Sequence, residues 1–192
     1  METNSGKLII FSAPSGAGKT TIVHHLLEKF PHLLEFSVSA TSRAKRPAET
    51  EGVDYYFLSV EAFKKKIDAG DFVEWEEVYK DHFYGTLKAE LERIWRKGMH
   101  VIFDVDVSGG ISLKKKFGDR ARSVFVMPPS IESLRERLEK RETETPESIE
   151  RRLGKATLEI QKAGEFDIIL ENSNLASALS GAEKIALEFL KS

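Results

Sequence analysis

The chain has 192 residues, 41% of them apolar and 31% charged, with a formal net charge of −2, which allows one domain with a real core and excludes both a membrane-embedded and a disordered chain. That charge argues against a broad nucleic-acid surface, so any anion site is local. With no cysteine, disulfides, thiolate chemistry and zinc–thiolate sites are excluded. The opening METNSGK has no apolar leader region and no apolar run reaches the length of a membrane span, so a cytoplasmic globular protein is expected.

The first predicted element is a strand, LIIF at 8–11. It runs into Ala13-Pro14-Ser15-Gly16-Ala17-Gly18-Lys19-Thr20-Thr21, and a helical pattern follows at once: Ile22, Val23, Leu26, Leu27 and Phe30 share one face, with Pro31 as a stop. A glycine-rich turn between strand and helix reads as a plain connection or as a phosphate cradle. Strand, loop, Lys-Thr and helix in this order favour the cradle, although Ala13 stands where the usual pattern has glycine. Gly16 and Gly18 let backbone N–H groups turn inward around a phosphate, and the helix N-terminus adds the positive end of its dipole. Lys19 would reach the β- and γ-phosphates of a nucleoside triphosphate, and the Thr20 hydroxyl would ligate Mg²⁺.

From 36 to about 84 the pattern changes to short alternating strands (FSVSAT, VDYYFLSV, FVEWEEVY) around one helix near 61–69. Alternation predicts antiparallel strands with one wet face, hence an inserted subdomain. Arg43 and Arg46 lie there beside Ser37, Ser39, Thr41 and Ser42. Two guanidiniums among hydroxyls suit a phosphate monoester, and a solvated basic loop is the plainer reading. Glu74, between Val73 and Trp75 on an alternating strand, reads by itself as a water-facing carboxylate, the commoner case for a lone glutamate.

Three further apolar runs follow, VIFDV at 101–105, VFVM at 124–127 and IIL at 168–170. Their near-continuous hydrophobicity predicts parallel strands covered on both faces, and strands alternating with helices imply an α/β fold around a parallel sheet. Between the last two lies SLRERLEKRETETPESIERRLGKA, two arginine-rich helices spanning about 135–155. Arg137 and Arg141, four apart, share a helix face beside Leu134 and Leu138, and Arg152 lies one helix later. Thr145 and Pro146 mark that helix's start, Ile149, Leu153, Ala156 and Ile160 its apolar stripe, and Gly164 its end. A salt-bridged surface pair explains this composition as well as a phosphate-facing lid does. Asn172 closes the last strand.

Over nearly its whole length the chain resembles guanylate kinases. Their S-x-T-T-R-x-x-R-x-G-E-x-x-G-x-D-Y-x-F segment is matched by SATSRAKRPAETEGVDYYF, with Pro47-Ala48-Glu49 at the centre. Phe72, Glu74, Tyr84, Gly85 and Thr86 match the next motif, and Asp104, Asp106 and Gly109 the strand end, with Ser108 where glutamine is frequent. The arginine-rich string is similar to the family's lid. The resemblance implies a P-loop kinase fold: core at about 5–36, 95–133 and 156–192, a mixed α/β GMP-binding insertion at 37–90, and a helical lid at 134–155. The implied reaction moves the γ-phosphoryl of ATP onto GMP with Mg²⁺. The implied partners are those two small molecules, with no nucleic acid and no membrane. The implied GMP site is Ser39, Arg43, Arg46, Tyr55, Glu74, Tyr84, Thr86 and Asp106. Arg43, Arg46, Tyr55 and Tyr84 would hold the phosphate while Ser39, Glu74, Thr86 and Asp106 read the base. Residues 13–21 and Asn172 would bind ATP, and Lys19, Arg43, Arg137, Arg141 and Arg152 would be the catalytic cations. Two alternatives stand beside this: a non-catalytic protein-binding domain of the same fold, which has no need of an intact phosphate loop, and a sibling P-loop kinase, which has no need of Glu74, Thr86 and Asp106 together.

Overall fold

In the computed structural model residues 6–140 and 145–192 are described. The strands are β1 (Leu8–Ser12), β2 (Leu34–Phe36), β3 (Ala40–Thr41), β4 (Tyr56–Phe57), β5 (Phe72–Tyr79), β6 (His82–Leu87), β7 (His100–Val105), β8 (Ala121–Met127) and β9 (Ile168–Glu171). The helices are α1 (Lys19–Lys29), α2 (Val60–Asp68), α3 (Lys88–Arg96), α4 (Val107–Phe117), α5 (Ile131–Glu139), α6 (Pro146–Gln161) and α7 (Leu175–Lys191).

The four apolar runs become β1, β7, β8 and β9, all parallel, and β2 joins them to give the order β2-β7-β1-β8-β9. Both faces of this sheet are covered, which is why its strands are apolar without alternation. Ile9 and Phe11 pack with Ile22, Val23 and Leu26 of α1 and Ala182 and Ala186 of α7. Leu8 and Ile10 point the other way, against Leu91 and Ile94 of α3 and Leu113 of α4. Ile22, Val23 and Leu26 are fully buried, and each such side chain contributes about 1.5–3 kcal/mol. This burial holds α1, and the loop before it, to the end of β1.

The inserted segment forms a second sheet of order β4-β3-β6-β5. The antiparallel expectation is met by β5/β6 and β3/β6 and corrected at β3/β4, which are parallel. The reason lies in the connection: 42–55 is long enough to return the chain to the same end, whereas the Lys80-Asp81 turn, with Asp81 at φ 60°, can only reverse it. FSVSAT splits between the sheets, its Phe36 ending β2 in the core and Ala40 starting β3. Strand β6 is not legible as a strand because Gly85 sits at its centre. A Cβ there would lie 2.7 Å from the Glu74 carbonyl oxygen and 2.8 Å from Trp75 Cβ, so glycine is what lets the hairpin close.

The two sheets meet at a buried carboxylate. Glu90, 3% exposed, accepts from the Val38 amide at 3.0 Å and the Tyr56 hydroxyl at 3.0 Å, and pairs with Arg93 at 2.8 Å. It fixes the chain where it leaves the core for the insertion.

Candidate active site

The loop predicted to cradle phosphate has the required backbone. Gly16 and Gly18 sit at φ 90° and 92°, a left-handed conformation that side-chain-bearing residues rarely adopt. Gly18 is the N-cap of α1, no side chain caps it, and the first turn holds no acid. The positive end of the helix dipole therefore faces the cleft without a competing carboxylate in that turn. The loop lines a cavity of about 560 Å³ together with Arg46, Tyr84, Asp104, Asp106 and Arg152.

Asp104 organises the loop's two functional side chains. The Lys19 ammonium pairs with it and donates to the Val105 carbonyl at 2.7 Å, and the Thr20 hydroxyl donates to its other oxygen at 2.7 Å. Asn172, expected at the ATP site, stands behind the loop: it is 4% exposed and its Nδ2 donates to the Ala17 carbonyl at 2.7 Å. A Cβ on Gly18 would lie 2.5 Å from that Nδ2, so glycine and asparagine fit one another. Arg137 on α5 donates to the Gly16 carbonyl at 3.3 Å, and Arg152 on α6 to the Ser15 hydroxyl at 2.8 Å. Arg141, the third expected lid cation, lies outside the described residues. The surface-ion-pair reading of this segment is met by a different residue, Arg135, which pairs with Glu150 at 2.5 Å and ties α5 to α6.

A second cavity, of about 300 Å³, opens between the two sheets. Of the GMP-site residues implied by the resemblance, Ser39, Tyr55, Glu74, Tyr84 and Asp106 line it, along with Glu76 and Lys155, whereas Arg43, Arg46 and Thr86 are not among its lining. The Thr86 hydroxyl is buried and donates to Glu74 Oε1 at 2.7 Å. Burial pushes the Glu74 carboxyl up, the Thr86 bond opposes this, and the Asp106 charge adds to it. Asp106 caps α4 by accepting from the Gly109 amide at 2.7 Å, and α4 comes close enough to β1 that a Cβ on Gly110 would lie 2.2 Å from Ser12 Oγ. Lys19, Tyr84, Asp104, Asp106 and Lys155 line both cavities.

Arg43 is turned to a protein carboxylate. It donates to both Glu49 oxygens, at 2.7 and 2.5 Å, and to the Tyr84 hydroxyl at 3.2 Å, with its guanidinium 5.1 Å from the Tyr55 ring centre. The Arg43 bonds hold the Glu49 carboxyl down to about 2, with help from the Arg46 amide. A planar fork gripping two oxygens is what a phosphate monoester would also receive. Glu49 was legible only as a motif letter, since its role depends on the 43–49 turn.

Glu76 was missed, although its place two residues after Glu74 on an alternating strand was a usable signal. Burial first, and then Asp106, push its carboxyl up to about 7. In the unfolded chain it titrates near the ordinary 4.5, so between these values the folded protein holds a proton that the unfolded chain has lost. Stability is therefore lost as pH rises through this window. Glu76→Gln removes the titration, and its melting temperature should exceed that of the wild type at pH 8, with the gap shrinking as pH falls towards 4.5. Thermal melts of both proteins across that range test this; a gap independent of pH would contradict it.

The guanylate kinase family model matches residues 5–188. A guanylate kinase of Porphyromonas gingivalis is 51% identical over 184 residues, covering 96% of this chain and 98% of the relative. One of Bacteroides thetaiotaomicron is 50% identical over 186 residues, covering 97% and 91%. The crystal structure of guanylate kinase from Anaplasma phagocytophilum superposes with a TM-score of 0.76 at 27% identity, covering 98% of this chain and 88% of that one. Among the described residues no helix is long and apolar enough to cross a membrane.

Proposed function

This chain belongs to the guanylate kinase family, and from that membership and its two joined cavities we infer that it transfers the γ-phosphoryl group of ATP to GMP, giving ADP and GDP. The observation that carries this reading is the shared lining: a phosphate-loop cavity and a carboxylate-rich cavity meet at Lys19, Tyr84, Asp104, Asp106 and Lys155. ATP would place its triphosphate on the loop, and GMP would lie between the sheets with its phosphate towards the junction. Catalysis is then positioning plus charge stabilisation, with no covalent enzyme intermediate. Lys19, the lid arginines and Arg43 supply the positive charge. The three parts implied by the sequence, core, GMP-binding insertion (37–90) and lid (134–155), take these roles.

Mg²⁺ prefers oxygen donors, and Thr20 Oγ1 and Asp104 Oδ2 are two such donors 2.7 Å apart at the loop. Those residues would hold the ion, which when bound neutralises charge on the phosphates. Among the described residues no cluster of three His, Cys, Asp or Glu side chains could hold a metal by itself. The inferred setting is purine nucleotide metabolism in the cytoplasm, where both substrates are present.

Base identity falls to Glu74, Thr86, Asp106 and Ser39. Guanine presents N1–H and N2–H₂ donors, which carboxylates accept, whereas adenine presents an N1 acceptor and would leave a buried carboxylate facing a lone pair. Glu74→Gln replaces one carboxylate oxygen by a donor at nearly constant volume. Because a hydrogen bond to a charged group contributes roughly 1.5–3 kcal/mol, kcat/KM for GMP should fall about 10- to 150-fold and any AMP activity should fall less. The measurement is ADP release with GMP and AMP side by side. An unchanged GMP/AMP ratio would remove Glu74 from the base site.

A further inference from the structure

Strands β5 and β6 place four side chains in two opposed pairs, Glu74 across from Thr86 and Glu76 across from Tyr84. Residues two apart on a strand share a face, so Glu74 and Glu76 look to one side of the sheet, into the cavity that both line. The Glu74–Thr86 pair, closed by a 2.7 Å hydrogen bond, is the base-reading end. Tyr84, which accepts from Arg43 at 3.2 Å, belongs to the phosphate end. Glu76 lies about 6.6 Å further along the strand than Glu74, comparable with the reach from a purine's Watson–Crick edge to its own sugar. A nucleoside monophosphate stretched between these ends puts its ribose opposite Glu76.

The surroundings of Glu76 fit a hydroxyl. Asp106 and Glu74 face it from α4's N-terminus and its own strand and repel its charge, while Lys155 on α6 attracts it and Tyr84 stands across the hairpin. Two carboxyls facing one another in a small cavity are costly unless a proton or a donor lies between them. A sugar hydroxyl both donates and accepts, so it serves Glu76 in either protonation state. The 2′-hydroxyl is on the carbon next to the one that bears the base, and is hence the ribose hydroxyl nearest the Glu74 end.

We propose that Glu76 is a further specificity-determining residue of this site, its carboxyl binding the ribose 2′-hydroxyl of GMP and thereby selecting GMP over 2′-deoxy-GMP. This rests on the GMP-kinase reading above. A purely structural Glu76, or one acting only by holding Asp106, would affect both nucleotides alike.

The experiment is kcat/KM for GMP and for 2′-deoxy-GMP, at saturating ATP, in wild type, Glu76→Ala and Glu76→Gln. Wild type should favour GMP by about 10-fold, the scale of one hydrogen bond to a carboxylate. Glu76→Ala should lose most of that preference, with GMP efficiency falling more than 2′-deoxy-GMP efficiency. Glu76→Gln keeps an acceptor of the same reach and should retain an intermediate preference, which also covers an alanine variant that folds poorly. A wild type without preference, or a ratio equal in all three proteins, overturns the proposal while leaving the kinase reading intact. A wild type that phosphorylates neither nucleotide overturns both.

Discussion

Lys19→Ala should lower kcat by about 10²-fold or more, because it removes one preorganised transition-state cation from a phosphoryl-transfer site. The ammonium sits where the two cavities meet, and in this structure it pairs with Asp104 and donates to Val105. Those are short, local contacts that a triphosphate can replace by a small swing of a flexible stem. The fold should survive the substitution, because Asp104 keeps the Thr20 hydroxyl at 2.7 Å and α1 keeps Ile22, Val23 and Leu26 fully buried. Turnover by coupled ADP release, with a thermal melt on the same protein, separates the two effects. Near-normal turnover in a well-folded Lys19→Ala protein would refute the enzymatic reading of the loop.

What could be read in the sequence follows a physical divide. Strands β1, β7, β8 and β9 were legible because burial on both faces leaves continuous apolar runs, and α1 and α6 because one apolar face and proper end signals coincide. Thr145 does accept from the Ser148 amide at 3.2 Å, and Pro146 is the first residue of α6. The missed pieces lack any local signal. Strand β2 is three residues long, and β6 is interrupted by the glycine its partner strand demands. Helix α4 carries Gly109-Gly110, poor helix formers that are needed because Ser12 leaves no room for a side chain at Gly110. The site divides in the same way. The phosphate loop depends on contiguous residues, so its residue types were readable. The loop-supporting position of Asn172, the grip of Glu49 on Arg43 and the nearness of Glu76 to Asp106 arise only when distant segments meet.

The lid arginines should act on kcat and leave GMP affinity nearly alone. Arg137 and Arg152 come from two helices, α5 and α6, and meet neighbouring points of the same loop, the Gly16 carbonyl and the Ser15 hydroxyl. Both contacts are to uncharged oxygens, and a triphosphate on the loop would offer charged ones in the same place, which bind guanidinium about twice as strongly. Neither arginine lines the cavity that holds Glu74 and Tyr84, so GMP alone should not sense its loss. The helices have other supports: Leu134 and Leu138 are buried against the core, and Arg135–Glu150 joins α5 to α6. Alanine at Arg137 or Arg152 should therefore lower kcat about 10- to 1,000-fold, below the larger arginine-finger effects because other cations remain, with the melting temperature little changed. Arg141→Ala carries the same expectation from the match of the arginine-rich string to the family's lid motif. The test is kcat by coupled assay beside the GMP dissociation constant by calorimetry. Three variants with wild-type kcat, differing only in stability, would leave these arginines as surface charges and the lid without its catalytic role.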